Sequence, residues 1–119
     1  MLNSTLNLNT GESKPTRDGF GSGIVEAAKN DERIVALSAD LKESTRVEEF
    51  SKQFPDRFIE MGVAEQNLAT VASGLANYGK IPFITSYACF SPARNWEQIR
   101  TTIGINAYPV KIIGAQSGL

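Results

Sequence analysis

The 119-residue sequence contains no histidine and a single cysteine, Cys89. One cysteine excludes an internal disulfide framework. Without histidine it also leaves the common zinc ligand sets unfilled. The side chain that most often titrates near neutral pH is therefore absent. Either the chain is not catalytic, or a cofactor or second chain brings the chemistry. Long apolar runs are missing too, and nothing approaches the length of a membrane span. The N-terminus lacks the basic-then-apolar plan of a secretion signal. Neither charge sign is in excess, with 12 basic and 13 acidic residues. That balance argues against nucleic acid or a membrane surface as the main partner. A cytoplasmic location is expected.

What is present suits one domain. A chain of this length buries roughly two thirds of its unfolded surface. Residues 1–15 are rich in Asn, Ser, Thr and Gly and end at Pro15. They read as a flexible N-terminal arm, with the domain over 16–119. Thr16 is the expected N-cap of a helix that carries Phe20, Ile24, Ala27 and Ala28 on one face and ends at Asn30-Asp31. Gly19, Gly21 and Gly23 fall within it. No strand precedes them, as a dinucleotide phosphate loop requires, so close packing or a mobile helix start is expected. Ile34-Val35-Ala36-Leu37 has the continuous apolar character of a buried parallel strand. Ser44 or Thr45 is the expected cap of a helix to about Gln53, before a turn at Phe54-Pro55-Asp56. Further strands are expected at Arg57 to Met61, Pro82 to Thr85 and Val110 to Gly114. A helix from about Ala93 to Ile105 precedes the last. The alternation implies an α/β fold, a mostly parallel sheet with helices on both faces. The final strand has no closing helix after it, so an exposed sheet edge and self-association are expected.

Chemistry concentrates at Phe58-Ile59-Glu60-Met61-Gly62-Val63-Ala64-Glu65-Gln66-Asn67. This is a short strand, a glycine turn and the start of a helix running through Leu68, Val71 and Leu75 to Gly79. Glu65 lies in the first helical turn, near the carboxyl edge of the sheet, where ligands bind open α/β sheets. Ordinary compensation of unpaired helix amides accounts for such a carboxylate equally well. The small residues Ala64, Ala69, Ala72, Ser73, Gly74 and Ala76 suit packing on the sheet or against a partner chain. Ser38-Ala39-Asp40-Leu41 closes the first strand, with Asp40 either a turn residue or a site residue. Tyr87 and Phe90, three apart beside a strand end, are either core or a platform for a flat ring.

Taken together and in order, these segments resemble the transketolase family. The strings that carry the resemblance are Ser38-Ala39-Asp40-Leu41 with Ser44, Phe54-Pro55-Asp56-Arg57-Phe58, and Gly62-Val63-Ala64-Glu65-Gln66-Asn67. Pro82-Phe83, Thr85-Ser86-Tyr87 with Phe90, and Arg94-Asn95 complete them. The resemblance is to the pyrimidine-binding domain of thiamine diphosphate enzymes, notably split transketolases. It implies that Glu65 is catalytic, hydrogen-bonding the pyrimidine ring nitrogen and promoting the imino form of the exocyclic amine. The cofactor then acts as its own base, and histidine is not needed for that step. It further implies that Tyr87 and Phe90 hold the pyrimidine ring, with Asp40 and Leu41 near the thiazolium ring. Arg17, Ser44 and Arg94 would bind the phosphate of a sugar substrate, since an arginine fork suits phosphate geometry.

The implied reaction moves a two-carbon ketol unit from a ketose phosphate to an aldose phosphate. A diphosphate-binding half or subunit would hold magnesium (or calcium), and this chain would hold no metal. The active site would lie between chains, in a homo- or hetero-oligomer. The sequence stops short of the family's following glycine- and acid-rich loop and histidine motif, so the chain by itself is expected to be inactive. A deoxyxylulose phosphate synthase or the β-subunit of an oxo-acid dehydrogenase is the near alternative. A non-catalytic, truncated binding module is the distant one.

Overall fold

The computed structural model describes residues 14–118. Most of the expected arm lies outside the described residues, as does Leu119. The strands are β1 (Ile34–Ser38), β2 (Phe58–Glu60), β3 (Ile81–Tyr87) and β4 (Lys111–Ala115). The helices are α1 (Thr16–Asn30), α2 (Glu48–Gln53), α3 (Glu65–Asn77) and α4 (Trp96–Gln98), the last continuing in π-helical turns over Ile99–Gly104. The sheet has the order β2-β1-β3-β4, and every neighbouring pair is parallel. This is the expected α/β fold.

The alternation of side chains along β1 explains the layering. All five residues of β1 are buried, because helices cover both of its faces. Val35 and Leu37 pack with Leu68, Ala69 and Ala72 of α3, Ile84 of β3, and Ile99 and Ile103 of the π-helical turns. Ile34 and Ala36 face the other way, onto Ile24, Val25 and Ala28 of α1 and Phe50 of α2. The small residues Ala69 and Ala72 let α3 sit close on the sheet. Gly74 is exposed on the far side of the helix.

Three element boundaries differ from those expected. Thr16 is the first helical residue and makes no cap; Pro15 occupies the N-cap position without a side-chain hydrogen bond. Neither Ser44 nor Thr45 starts a helix. The Thr45 hydroxyl is buried and donates to Leu41 O at 2.8 Å. Arg46 then takes a left-handed φ of 66°, so α2 begins only at Glu48. The helix expected over 93–105 is α-helical for just one turn. Beyond it, Ile105 N donates to Arg100 O and Tyr108 N to Ile103 O, the wider i→i−5 spacing. Ile99 and Ile103 stay buried in that spacing, while Ile105 is exposed.

Arg57 ties the far end of the sheet together. Its guanidinium lies 4.0 Å from the centroid of Phe54 and donates to Asp31 O and Ala28 O at 3.2 and 3.1 Å. A cation at the last carbonyls of α1 also suits the helix dipole. Asp31 beside it is held down to about 2 from 3.8 by the Arg33 guanidinium and, next, the Arg33 amide. A carboxyl depressed in the folded state stabilises above its unfolded value, and that contribution is lost as pH falls through the folded one. The acid limb of a stability–pH curve should therefore flatten in Asp31→Asn between about pH 4 and about pH 2, as chemical denaturation at each pH will read.

Gly21 marks the closest approach of α1 to the loop before α2. A Cβ there would stand 2.6 Å from Arg46 O, whereas one at Gly23 meets nothing within 4 Å. Close packing is thus the reason for the Gly21 glycine. Gly21→Ala is expected to destabilise by about 1–3 kcal/mol. Gly23→Ala should stabilise by about 0.5–1 kcal/mol. Urea midpoints of the two variants should move in opposite directions.

Candidate functional site

The strand order reverses direction at β1. The chain leaves β1 for β2 on one side and returns past it to β3 on the other. The carboxyl ends of these strands lie at the switch point where open α/β sheets bind ligands. The loops that follow β1, β2 and β3 carry Asp40-Leu41, Gly62 to Glu65, and Tyr87 to Arg94.

Glu65 is the first residue of α3, and its side chain is 2 % exposed. Gly62, with φ 68°, turns the chain back from β2 so that the helix can begin at once. A negative charge in the first turn is favoured by the positive end of the helix dipole. Its Oε2 accepts from Arg94 Nη1 at 3.3 Å. The Arg94 guanidinium, half exposed, also lies 5.2 Å from the centroid of the Phe90 ring. Phe90 in turn stacks with Tyr87, centroids 6.2 Å apart and planes 21° from parallel. Such aromatic and cation–π contacts contribute about 0.5–1.5 kcal/mol each. Glu65, Arg94, Phe90 and Tyr87 are therefore one continuous cluster. A cleft of about 490 Å³ lies over its carboxylate side, lined by Val63, Glu65, Asn67, Arg94 and Gln98 among others.

The remaining expected residues fall into two places. Asp40 is exposed, with φ 58°, and its amide donates to Glu60 Oε1 at 2.8 Å. Leu41 is half-buried and its amide donates to Ser38 Oγ at 3.1 Å. Arg17 approaches the loop between β1 and α2 by a long 3.5 Å contact to Ser44 O. A second cleft, of about 640 Å³, runs between Arg17, Phe20, Thr45 and the segment from Ile113 to Gly118. Arg17 and Arg94 thus line different clefts, and Arg94 is directed to Glu65 and Phe90.

Two supports had no role in the sequence reading. Asn95 is fully buried, and its Nδ2 donates to Glu65 O at 2.9 Å and to Ser91 Oγ at 3.1 Å. Glu60 links the ends of β1 and β2 through its carboxylate. A buried asparagine in a helical stretch looks like an exposed one in sequence. Glu60 stood within the organising stretch, but only the strand register shows what its side chain reaches. The described residues contain no group of three or more side chains placed to hold a metal ion.

These features define an α/β domain with a buried carboxylate and a stacked aromatic pair at its strand ends. The profile described as "Transketolase, pyrimidine binding domain" matches residues 12–119, and the chain belongs to that family. It is 42% identical over 110 residues to a protein of Methanocaldococcus jannaschii provisionally named a transketolase C-terminal section, covering 92% of this chain and 35% of the relative. It is 37% identical over 100 residues to a 1-deoxy-D-xylulose-5-phosphate synthase of Clostridium perfringens, covering 84% of this chain and 16% of the relative. A solved structure titled "Split gene transketolase, inactive beta4 tetramer" superimposes with a TM-score of 0.78 at 44% identity, covering 87% of this chain and 34% of that one. The chain spans about a third or less of the length of these relatives.

The family binds thiamine diphosphate. The residues here fit its pyrimidine end: a flat aromatic pair stands beside a buried carboxylate, with a cleft next to it. Buried Ser86 Oγ and Asn95 Oδ1 at this end of the sheet have no hydrogen-bond partner among the described residues.

Asn95 provides a test of the cluster's framework. Asn95→Ala removes donors to Glu65 O and Ser91 Oγ and should lower stability by about 1–3 kcal/mol. Denaturant titration will measure it, and exchange of the amides at the start of α3 should quicken in parallel.

Proposed function

We propose that this chain is the pyrimidine-binding portion of a transketolase-type transferase, working with a diphosphate-binding half or subunit. The observation that carries this reading is the buried Glu65 carboxylate joined through Arg94 to the Phe90–Tyr87 stack. When bound, thiamine diphosphate supplies the nucleophilic carbon and the electron sink that let a bond next to a carbonyl be broken and remade. Glu65 hydrogen-bonds the pyrimidine ring nitrogen and holds a proton at that atom. Burial keeps water from competing for the same contact. Tyr87 and Phe90 orient the ring, and Asp40 and Leu41 bound the space toward the thiazolium side.

Arg17 and Ser44 receive the phosphate of a sugar substrate. Arg17 Nε has no hydrogen-bond partner among the described residues, and the Arg17 side chain lines the adjoining cleft. Arg94 lines the other cleft, with Glu65, and would meet an anion only there. The donor is a ketose phosphate and the acceptor an aldose phosphate. Magnesium and the diphosphate belong to the partner half, and the working site forms between chains. The likeness to a split-gene transketolase supports a separate partner and an oligomer.

The test uses the chain assembled with its diphosphate-binding half. Ketol transfer from a ketose phosphate is expected, and Glu65→Gln should lower turnover by roughly 100- to 10,000-fold while the fold survives. Equal turnover by the two proteins would refute the role of Glu65. The likeness to a deoxyxylulose phosphate synthase makes pyruvate the informative second donor. Turnover of pyruvate in place of ketose phosphate would assign the chain to that chemistry instead.

A further inference from the structure

We infer that Glu60 is a positioning residue that locks the thiazolium-side loop to the turn carrying Glu65. This rests on the thiamine diphosphate reading above. The parallel ladder between β1 and β2 ends at the pair Ser38 and Glu60, extended by one bond from Met61 N to Ser38 O at 2.9 Å. Past that point the chains part, one toward Asp40-Leu41 and the other toward Glu65. The Glu60 side chain spans the gap. Its Oε1 accepts from Asp40 N at 2.8 Å and from Gly62 N at 3.0 Å.

Both amides belong to residues in the left-handed region, with φ 58° at Asp40 and 68° at Gly62. Each of those turns aims its amide away from the sheet ladder, and the two converge on one oxygen. Hydrogen bonds to a carboxylate are short and stronger than neutral ones. Glu60 thereby fixes two backbone directions at once. One sets where Asp40 and Leu41 lie; the other sets where α3 begins and so where the Glu65 carboxylate points. A misplaced contact of this kind acts on cofactor binding and on turnover, since small displacements of reacting groups are costly. Glu60 itself is exposed, so its substitution leaves the core alone.

Glutamine keeps the accepting oxygen at the same reach, whereas leucine and alanine remove it. In the assembled protein, thiamine diphosphate with magnesium is titrated by calorimetry into wild type, Glu60→Gln, Glu60→Leu and Glu60→Ala. Exchange of the Asp40 and Gly62 amides is followed in the same four proteins. The expected result is a Kd about tenfold or more weaker in Glu60→Leu and Glu60→Ala, from the loss of two charge-assisted bonds. Their Asp40 and Gly62 amides exchange faster, and Glu60→Gln stays close to wild type in both readings. An unchanged Kd in Glu60→Leu and Glu60→Ala, with or without a lower melting midpoint, overturns the role. So does a Glu60→Gln protein as impaired as the other two. Failure of the wild-type assembly to bind thiamine diphosphate overturns the reading on which the role depends, and the role with it.

Discussion

A carboxylate taken out of water must be compensated, and most of the site follows from that constraint at Glu65. Its side chain is almost wholly buried. Removing one partner of a wholly buried ion pair costs about 3–5 kcal/mol, while an exposed pair contributes about 0–1 kcal/mol. The Arg94 pair lies between these limits, because the guanidinium is half exposed. The remaining compensation is dipolar. Glu65 opens α3, where unpaired amides and the helix dipole favour negative charge. Asn95 anchors the backbone of the same residue from below.

The sheet supplies the other half of the arrangement. A fully buried β1 needs helices on both faces, and short crossovers place α3 on one side and α1 and α2 on the other. Those crossovers put the loops after β1, β2 and β3 at one end. Below them, the interior is made secure by small hydroxyls where strand ends would otherwise leave polar groups unpaired. Thr85 Oγ1 donates to Leu37 O at 3.2 Å and lies 3.4 Å from Thr45 Oγ1, which itself donates to Leu41 O. This buried chain of contacts runs directly beneath the Asp40-Leu41 loop. The loop is thus held from below by threonines and from the side by Glu60.

Strand identity, strand direction and the helix that Glu65 opens were legible because their signals are local. A run of β-branched residues, a glycine turn and an amphipathic helix declare themselves within ten residues. The boundaries that shifted depend on distant atoms. Thr45 looks like a cap until its hydroxyl is seen to be buried under β1 and β3. The stretch after Ala93 has helical spacing, and Ile99 and Ile103 are buried as that spacing expects, but past Gln98 the backbone winds in wider turns. The contacts of Asn95 and Glu60 were not readable for the same reason, since each acts across elements separated in sequence. Tyr87 and Phe90, three apart, were left between core and platform. Their stacking, with Arg94 drawn across Phe90, joins them to the Glu65 cluster.

The absence of histidine acquires its meaning from this geometry. No group in this chain is suited by its ordinary titration to carry protons near neutral pH. What the chain provides instead is placement: a carboxylate at a fixed point, a flat surface beside it, and an arginine at a second cleft. Each is set by backbone held at strand ends, where register leaves little freedom. In the function proposed above, the bound ring would supply the base and this frame would orient it. Glu60 and Asn95 belong to that frame: each holds backbone atoms of a neighbouring segment, Glu60 the amides of Asp40 and Gly62 and Asn95 the carbonyl of Glu65.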